Sequence, residues 1–264
     1  MDYQLTNKTA LVTGSTAGIG FAIAQLLVQE GATVAINGRT QQRVNEAIQK
    51  IKLACPKAKL IALPADLSVK QDFETIFHQL PTLDILVNNF GIYEAKSFGD
   101  ISDEDWQRFF DANVMSGVRL SRHYLPGMFK RDWGRIIFVS SESGLQIPAE
   151  MIHYGMTKTA QLSIARGLAE TTVGSNVTVN SVLPGPTSSE GITQFVANIA
   201  KEENKKPEQI EKEVFTSLRP TSLLKRFITP DEIAAMVAFL CSPLSAATNG
   251  AAIRVDGGIV RSIA

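Results

Sequence analysis

The sequence predicts a doubly wound α/β domain, a parallel sheet of about seven strands with helices on both faces. Three observations predict it. Short apolar runs alternate with helical patterns along the whole chain, the runs are apolar almost throughout, and a glycine-rich turn joins the first run to the first helix. A parallel pair needs a crossover long enough to hold a helix, and such crossovers are right-handed.

In order, Ala10-Leu11-Val12 reads as a strand, and Gly20 to Glu30 follows as a helix with Ile23, Leu26 and Leu27 on one face. Thr33-Val34-Ala35-Ile36 is a second strand, Gln41 to Leu53 a helix, Lys59 to Leu63 a third strand and Asp72 to Leu80 a helix. Leu83 to Val87 is a strand, Asp105 to Lys130 mostly helix, Arg135 to Val139 a strand and His153 to Thr171 a helix. Asn176 to Leu183 gives another strand; a helix at Pro230 to Leu240 and a strand at Ala252 to Val255 close the chain. Residues 1–264 thus form one domain. One stretch breaks the alternation: between Pro184 and Pro230 lie small apolar patches, the charged run Lys201 to Lys206 and a helical stretch to Ser217. Following the last strand that frames a ligand crevice, the segment at about 186–222 reads as a substrate lid or as a solvated cover for the core.

Composition narrows the function. Twenty-six basic and twenty-six acidic residues cancel, so no net field draws the chain to nucleic acid or to an anionic membrane surface. No apolar run approaches the roughly 20 residues of a spanning helix, and the first residues lack a basic stretch leading into an apolar one, so a cytoplasmic location is the default expectation. Cys55 and Cys241 stand far apart, and His78, His123 and His153 are scattered, so neither a disulfide framework nor a metal site is expected. Small-molecule chemistry remains.

Two motifs carry that chemistry. Thr13-Gly14-Ser15-Thr16-Ala17-Gly18-Ile19-Gly20 joins strand to helix, where glycines let backbone amides approach a pyrophosphate and the helix N-terminus offers free N–H groups. Further on, Tyr154-Gly155-Met156-Thr157-Lys158 places a phenol and an ammonium four residues apart on one helical face, with Ser141 thirteen positions upstream. A neighbouring cation is expected to lower the phenol pKa toward neutrality.

These motifs, with Asp66, Asn88-Asn89-x-Gly91, Asn113, Asn180, Pro184-Gly185 and Val255-Asp256-Gly257-Gly258 in the same order, resemble the short-chain dehydrogenase/reductase family over nearly the whole chain. The resemblance implies a Rossmann fold and hydride transfer between a nicotinamide and a carbonyl or alcohol carbon. It implies a cofactor site made of Gly14, Ser15, Thr16, Gly18, Ile19, Gly20, Arg39, Asp66, Leu67, Asn88, Gly91, Tyr154, Lys158, Pro184, Gly185 and Thr187. Asp66 would hold the adenine, unless it caps the following segment with Ser68; Thr187 would meet the carboxamide. Catalysis would rest on Asn113, Ser141, Tyr154 and Lys158: Ser141 bonds the developing oxyanion, and Tyr154 exchanges the proton. Lys158 would bond the ribose and depress the Tyr154 pKa, while Asn113 holds a water that links Lys158 to solvent.

Gly38 stands where relatives that use NAD usually carry aspartate, and Arg39 follows it; an arginine without that carboxylate pairs a 2′-phosphate, so NADP(H) is expected, with NAD(H) the alternative. The family usually has alanine where this chain has Phe90. The overall pattern resembles the 3-oxoacyl-carrier-protein reductase branch, while a steroid-like ketone, a sugar or a quinone stays open, as do an NAD-linked alcohol or sugar dehydrogenase and a non-catalytic NADP(H)-sensing protein. The substrate pocket would draw on the Ser141 to His153 loop, Glu94 to Phe98 and Ser188 to Leu218, with Glu142, Glu150 or His153 facing substrate. A homotetramer, through helices at about Asp105 to Lys130 and His153 to Thr171, is implied by resemblance.

Overall fold

A computed structural model describes residues 2–189, 192–193, 196–197, 200–201 and 204–263. Seven parallel strands form one sheet in the order β3-β2-β1-β4-β5-β6-β7. They are β1 (Thr9–Val12), β2 (Thr33–Gly38), β3 (Lys59–Pro64), β4 (Ile85–Asn88), β5 (Gly134–Val139), β6 (Val177–Pro184) and β7 (Ala252–Val255). The near-continuous apolar runs have a simple cause. Alternate residues serve opposite faces, and both faces are covered. Ala10, Val12, Ile85, Val87, Ile137 and Val139 join one core, under α1 (Gly18–Gln29), α2 (Gln41–Ala54) and the last helix, α8 (Pro230–Cys241). Leu11, Leu86, Ile136 and Phe138 join the other, under α3 (Asp72–Gln79), α5 (Ser116–Lys130) and α6 (Ile152–Glu170).

The helix expected over Asp105 to Lys130 is instead two. α4 (Asp103–Phe110), capped by Ser102 accepting from the Asp105 N–H at 3.2 Å, runs into a wide π turn at Asp111–Met115 before α5. Periodicity cannot register one inserted residue per turn, and such π turns cluster at functional sites. This one carries Asn113.

Strand order reverses beside β1, between β2 and β4, and the crevice at the C-terminal ends of these strands is where ligands bind in open α/β sheets. After β6 the chain leaves the sheet. Of the excursion expected at about 186–222, residues 190–191, 194–195, 198–199 and 202–203, including Glu202 and Glu203 of the charged run, lie outside the described residues. Its described part includes α7 (Pro207–Glu213) and a π turn at Val214–Leu218. The two ends are pinned together: the Ser188 N–H donates to the Ile228 carbonyl and the Ile228 N–H to the Pro186 carbonyl, each at 2.9 Å. Val196, Ala200 and Ile210 bury a small core of their own. Among the described residues no helix is long and apolar enough to cross a membrane.

Candidate active site

β5 ends at Val139, and the chain turns at once. Ser140 Oγ donates to the Lys158 carbonyl at 2.8 Å, fixing the strand end against α6. Ser141 therefore sits over the crevice with its Oγ accepting from the Ser143 N–H at 3.1 Å and donating to Glu142 Oε2 at 2.5 Å. One turn into α6, Tyr154 faces the same cleft, and Lys158 Nζ lies 5.6 Å from the centre of its ring. Asn113 completes the group from below: its Nδ2 donates to the Ile92 carbonyl at 3.0 Å and to Thr157 Oγ1 at 2.9 Å, and its Oδ1 accepts from the Ile92 N–H at 2.7 Å.

The lysine is 4% exposed. Two acceptors hold its ammonium, the Val139 carbonyl at 3.0 Å and Gln161 Oε1 at 3.2 Å, leaving one N–H for the cleft. Gln161 in turn donates through Nε2 to the Asn113 carbonyl at 2.5 Å. Gln161 thus bridges the Lys158 ammonium and the Asn113 backbone. Burial lowers the Lys158 ammonium to about 8, opposed by the charge of Glu142. Tyr154 departs from expectation. Its phenol is pushed above the ordinary range, first by burial and then by Glu142, with a hydrogen bond to Ser141 pulling the other way. The expected lowering by the neighbouring cation loses to the desolvation of the phenolate, because Lys158 is turned toward β5 and Gln161.

Two connected clefts meet at Gly91, Tyr93, Ala17 and Ser189. The first, about 520 Å³, is lined by Gly14, Thr16, Gly18, Gly38, Arg39, Leu67 and Phe90. The second, about 420 Å³, is lined by Ile19, Gly20, Ser141, Glu142, Tyr154, Lys158, Pro184, Gly185 and Thr187. α1 opens the first cleft with no side-chain cap at Ala17, so its first N–H groups are free for an anion. Gly14 there has φ +61°, a conformation that disfavours side chains. Gly38 brings no carboxylate to the turn, and a Cβ there would sit 2.4 Å from Thr16 Cγ2, while Arg39 and Arg43 stand exposed at its edge. These residues fit a dinucleotide with an extra phosphate on its adenosine end.

Some expected ligands do other work. Ser15 is buried and staples the turn to β2, its Oγ accepting from the Asn37 N–H at 2.9 Å. Asp66 Oδ1 accepts from Ser68 Oγ at 2.7 Å in the loop before α3, whose N-cap is Gln71 and not Asp66, and Ala65 and Leu67 line the cleft. Asn88 lies beneath, donating to Ser121 Oγ at 3.3 Å. Phe90 lies along the first cleft and packs on the α3/α5 core, away from the second. His153 does not face substrate: it is fully buried against Phe109, ring centres 4.0 Å apart. Glu142 does line the second cleft, whereas Tyr93 borders it in place of the Glu94 to Phe98 stretch. Not foreseen were Asn37, whose Oδ1 accepts from the Gly14 N–H at 3.1 Å, Arg43, Gln161 and Arg219. Arg219 reaches from the excursion to Glu142 Oε1 at 3.4 Å and Glu150 Oε1 at 3.3 Å. Among the described residues no group of His, Cys, Asp and Glu is placed to hold a metal ion.

Comparison with known proteins agrees with this geometry. The family described as enoyl-(acyl carrier protein) reductase matches residues 14–260. The uncharacterized oxidoreductase YvaG of Bacillus subtilis is 49% identical over 263 residues, covering 100% of both chains. The 3-oxoacyl-[acyl-carrier-protein] reductase FabG of Aquifex aeolicus is 34% identical over 98% of this chain and 100% of its own. L-sorbose reductase from Gluconobacter frateurii, solved with NADPH and L-sorbose, superposes with a TM-score of 0.93 at 29% identity, covering 100% of both chains. With a seven-stranded parallel sheet, a phosphate-binding turn and Ser141, Tyr154 and Lys158 around one cleft, the chain belongs to the short-chain dehydrogenase/reductase family, oxidoreductases that bind a nicotinamide dinucleotide.

Proposed function

We propose that the protein is an NADP(H)-dependent carbonyl reductase in which Tyr154 is the proton donor. The observation that carries this reading is a second cleft, lined by Ser141, Tyr154 and Lys158, that opens onto the first, where Gly38 brings no carboxylate and Arg39 and Arg43 stand exposed. When bound, the dinucleotide supplies the hydride. The chain's own groups do the rest. Ser141 donates to the carbonyl oxygen as negative charge grows there, Tyr154 gives that oxygen its proton, and Lys158, with one N–H free, reaches a ribose hydroxyl. Tyr154 exchanges its proton with the substrate oxygen in either direction, so the preference for reduction over the NAD-linked oxidation weighed above rests on the NADP(H) reading of the first cleft.

Two substrate classes compete: the Aquifex relative points to a 3-oxoacyl thioester and the Gluconobacter structure to a polyhydroxy ketone. We take the excursion as a lid, tied to the catalytic loop by Arg219, and the protein as a cytoplasmic homotetramer; sedimentation of the purified protein tests the assembly. Titration with NADPH and NADH, following the fluorescence of Trp106 and Trp133, tests the cofactor reading. Tighter binding of NADPH is expected, and tighter binding of NADH would overturn the role given to Arg39.

A further inference from the structure

Ser141 must change partners during the reaction, and what it leaves behind constrains the substrate. A serine hydroxyl has one proton to donate. In the structure that proton goes to Glu142 Oε2 at 2.5 Å, yet polarising a substrate carbonyl requires it to turn toward the substrate oxygen. Glu142 is 5% exposed, and its second oxygen is already engaged by Arg219 Nε at 3.4 Å. Among the described residues Oε2 accepts no bond except that of Ser141. Turning the serine away therefore strips a buried carboxylate oxygen of its donor, a costly state unless the substrate supplies one.

From this exchange, and resting on the reductase reading above, we propose that Glu142 accepts a hydrogen bond from a hydroxyl on the carbon next to the substrate carbonyl, so that the enzyme selects α-hydroxy ketones. The spacing fits. Oxygens on adjacent carbons lie about one hydrogen-bond length apart, as do Ser141 Oγ and Glu142 Oε2, so the carbonyl oxygen takes the serine proton while the neighbouring hydroxyl replaces it on the glutamate. Both acceptor and donor line the same cleft as Tyr154. The product would be a vicinal diol, the bound NADPH supplying the hydride for the carbonyl carbon and becoming NADP⁺, and Tyr154 giving the proton to the oxygen. Arg219, on the excursion, holds Glu142 at its other oxygen and Glu150 of the same loop, and so joins that acceptor to the excursion. A 3-oxoacyl thioester, with no hydroxyl next to its ketone, leaves Glu142 unpaired and is a poor substrate on this account.

The test uses isosteric pairs with the full chain and NADPH: hydroxyacetone against butanone, and 2-hydroxycyclohexanone against 2-methylcyclohexanone, with an acetoacetyl thioester alongside. The hydroxylated member of each pair should be favoured about 100-fold in kcat/KM, the value of one hydrogen bond to a buried charge. In Glu142→Ala the ratio between the members of each pair should collapse toward one, whatever the change in absolute rate, and NADPH titration should show unchanged cofactor binding. Calorimetry on the enzyme loaded with NADP⁺ should show hydroxyacetone binding to wild type and lost in Glu142→Ala. Equal use of both members by wild type, or a preference surviving Glu142→Ala, overturns this inference and leaves the reductase reading standing. Wild type that binds NADPH but reduces none of these ketones overturns both.

Discussion

Lys158 answers two opposed demands: its charge must reach the cleft, and its burial penalises that charge. The site settles this by giving the ammonium two fixed acceptors and by placing Glu142 near, yet the group still loses its proton at about pH 8. Below that value Lys158 is charged and Tyr154 protonated; above it the charge goes. We expect kcat/KM for ketone reduction to be level below about pH 8 and to fall above it, and the fall to begin at lower pH in Glu142→Gln, which removes the charge that supports the lysine's proton. Gln161→Leu should lower kcat about tenfold, one hydrogen bond of about 1.5 kcal/mol, while Gln161→Glu, which keeps an acceptor, should lose less. At the other end of the cleft, Arg39→Ala should weaken NADPH binding by about 1.5–3 kcal/mol and leave NADH binding alone, as read by fluorescence titration. The tyrosine, lysine, serine and asparagine were legible in the sequence because they fall at fixed intervals in recognisable motifs. Gln161 and Arg219 were not, because each acts through a contact between distant elements: Gln161 of α6 meets the π turn, and Arg219 meets a loop 77 residues away.

Elements differ in how plainly they are written. α8 announces itself by Thr229-Pro230 followed by Glu232, and in the structure Thr229 Oγ1 accepts from the Glu232 N–H at 3.3 Å while Glu232 Oε2 accepts from the Thr229 N–H at 2.8 Å. Thr229→Ala should cost about 1 kcal/mol of stability, seen as a lower urea midpoint. The π turn at Asp111–Met115 leaves no such mark, since apolar residues simply continue through it, yet it delivers Asn113 to Ile92 and Thr157. The excursion is a third case. Its ends are fixed by backbone bonds at Ile228, but the described bonds to the catalytic loop run through Arg219 alone. Arg219→Ala should therefore raise KM more than it lowers kcat for a ketone substrate, and should speed proteolytic cutting near 207–218.

At the scale of the molecule, strand order makes the site. Because the chain winds outward from β1 to β3 and then back from β4 to β7, the ends of β1 and β4 part, and the glycine turn and Gly91 border the space between them. Alternation of strands and helices made the layers legible, because right-handed crossovers cover both faces of apolar parallel strands, but it left the strand order open. What alternation could not convey is the electrostatic balance inside the cleft, where burial and Glu142 raise the phenol that a neighbouring cation was expected to lower. The central claim is that Tyr154 nonetheless gives the substrate oxygen its proton. The most direct measurement is the rate of NADPH oxidation with an added ketone by wild type and by Tyr154→Phe, beside NADPH affinity for both. The account predicts a loss of about 10²–10⁴-fold in rate with affinity unchanged; a Tyr154→Phe enzyme as fast as wild type would contradict it.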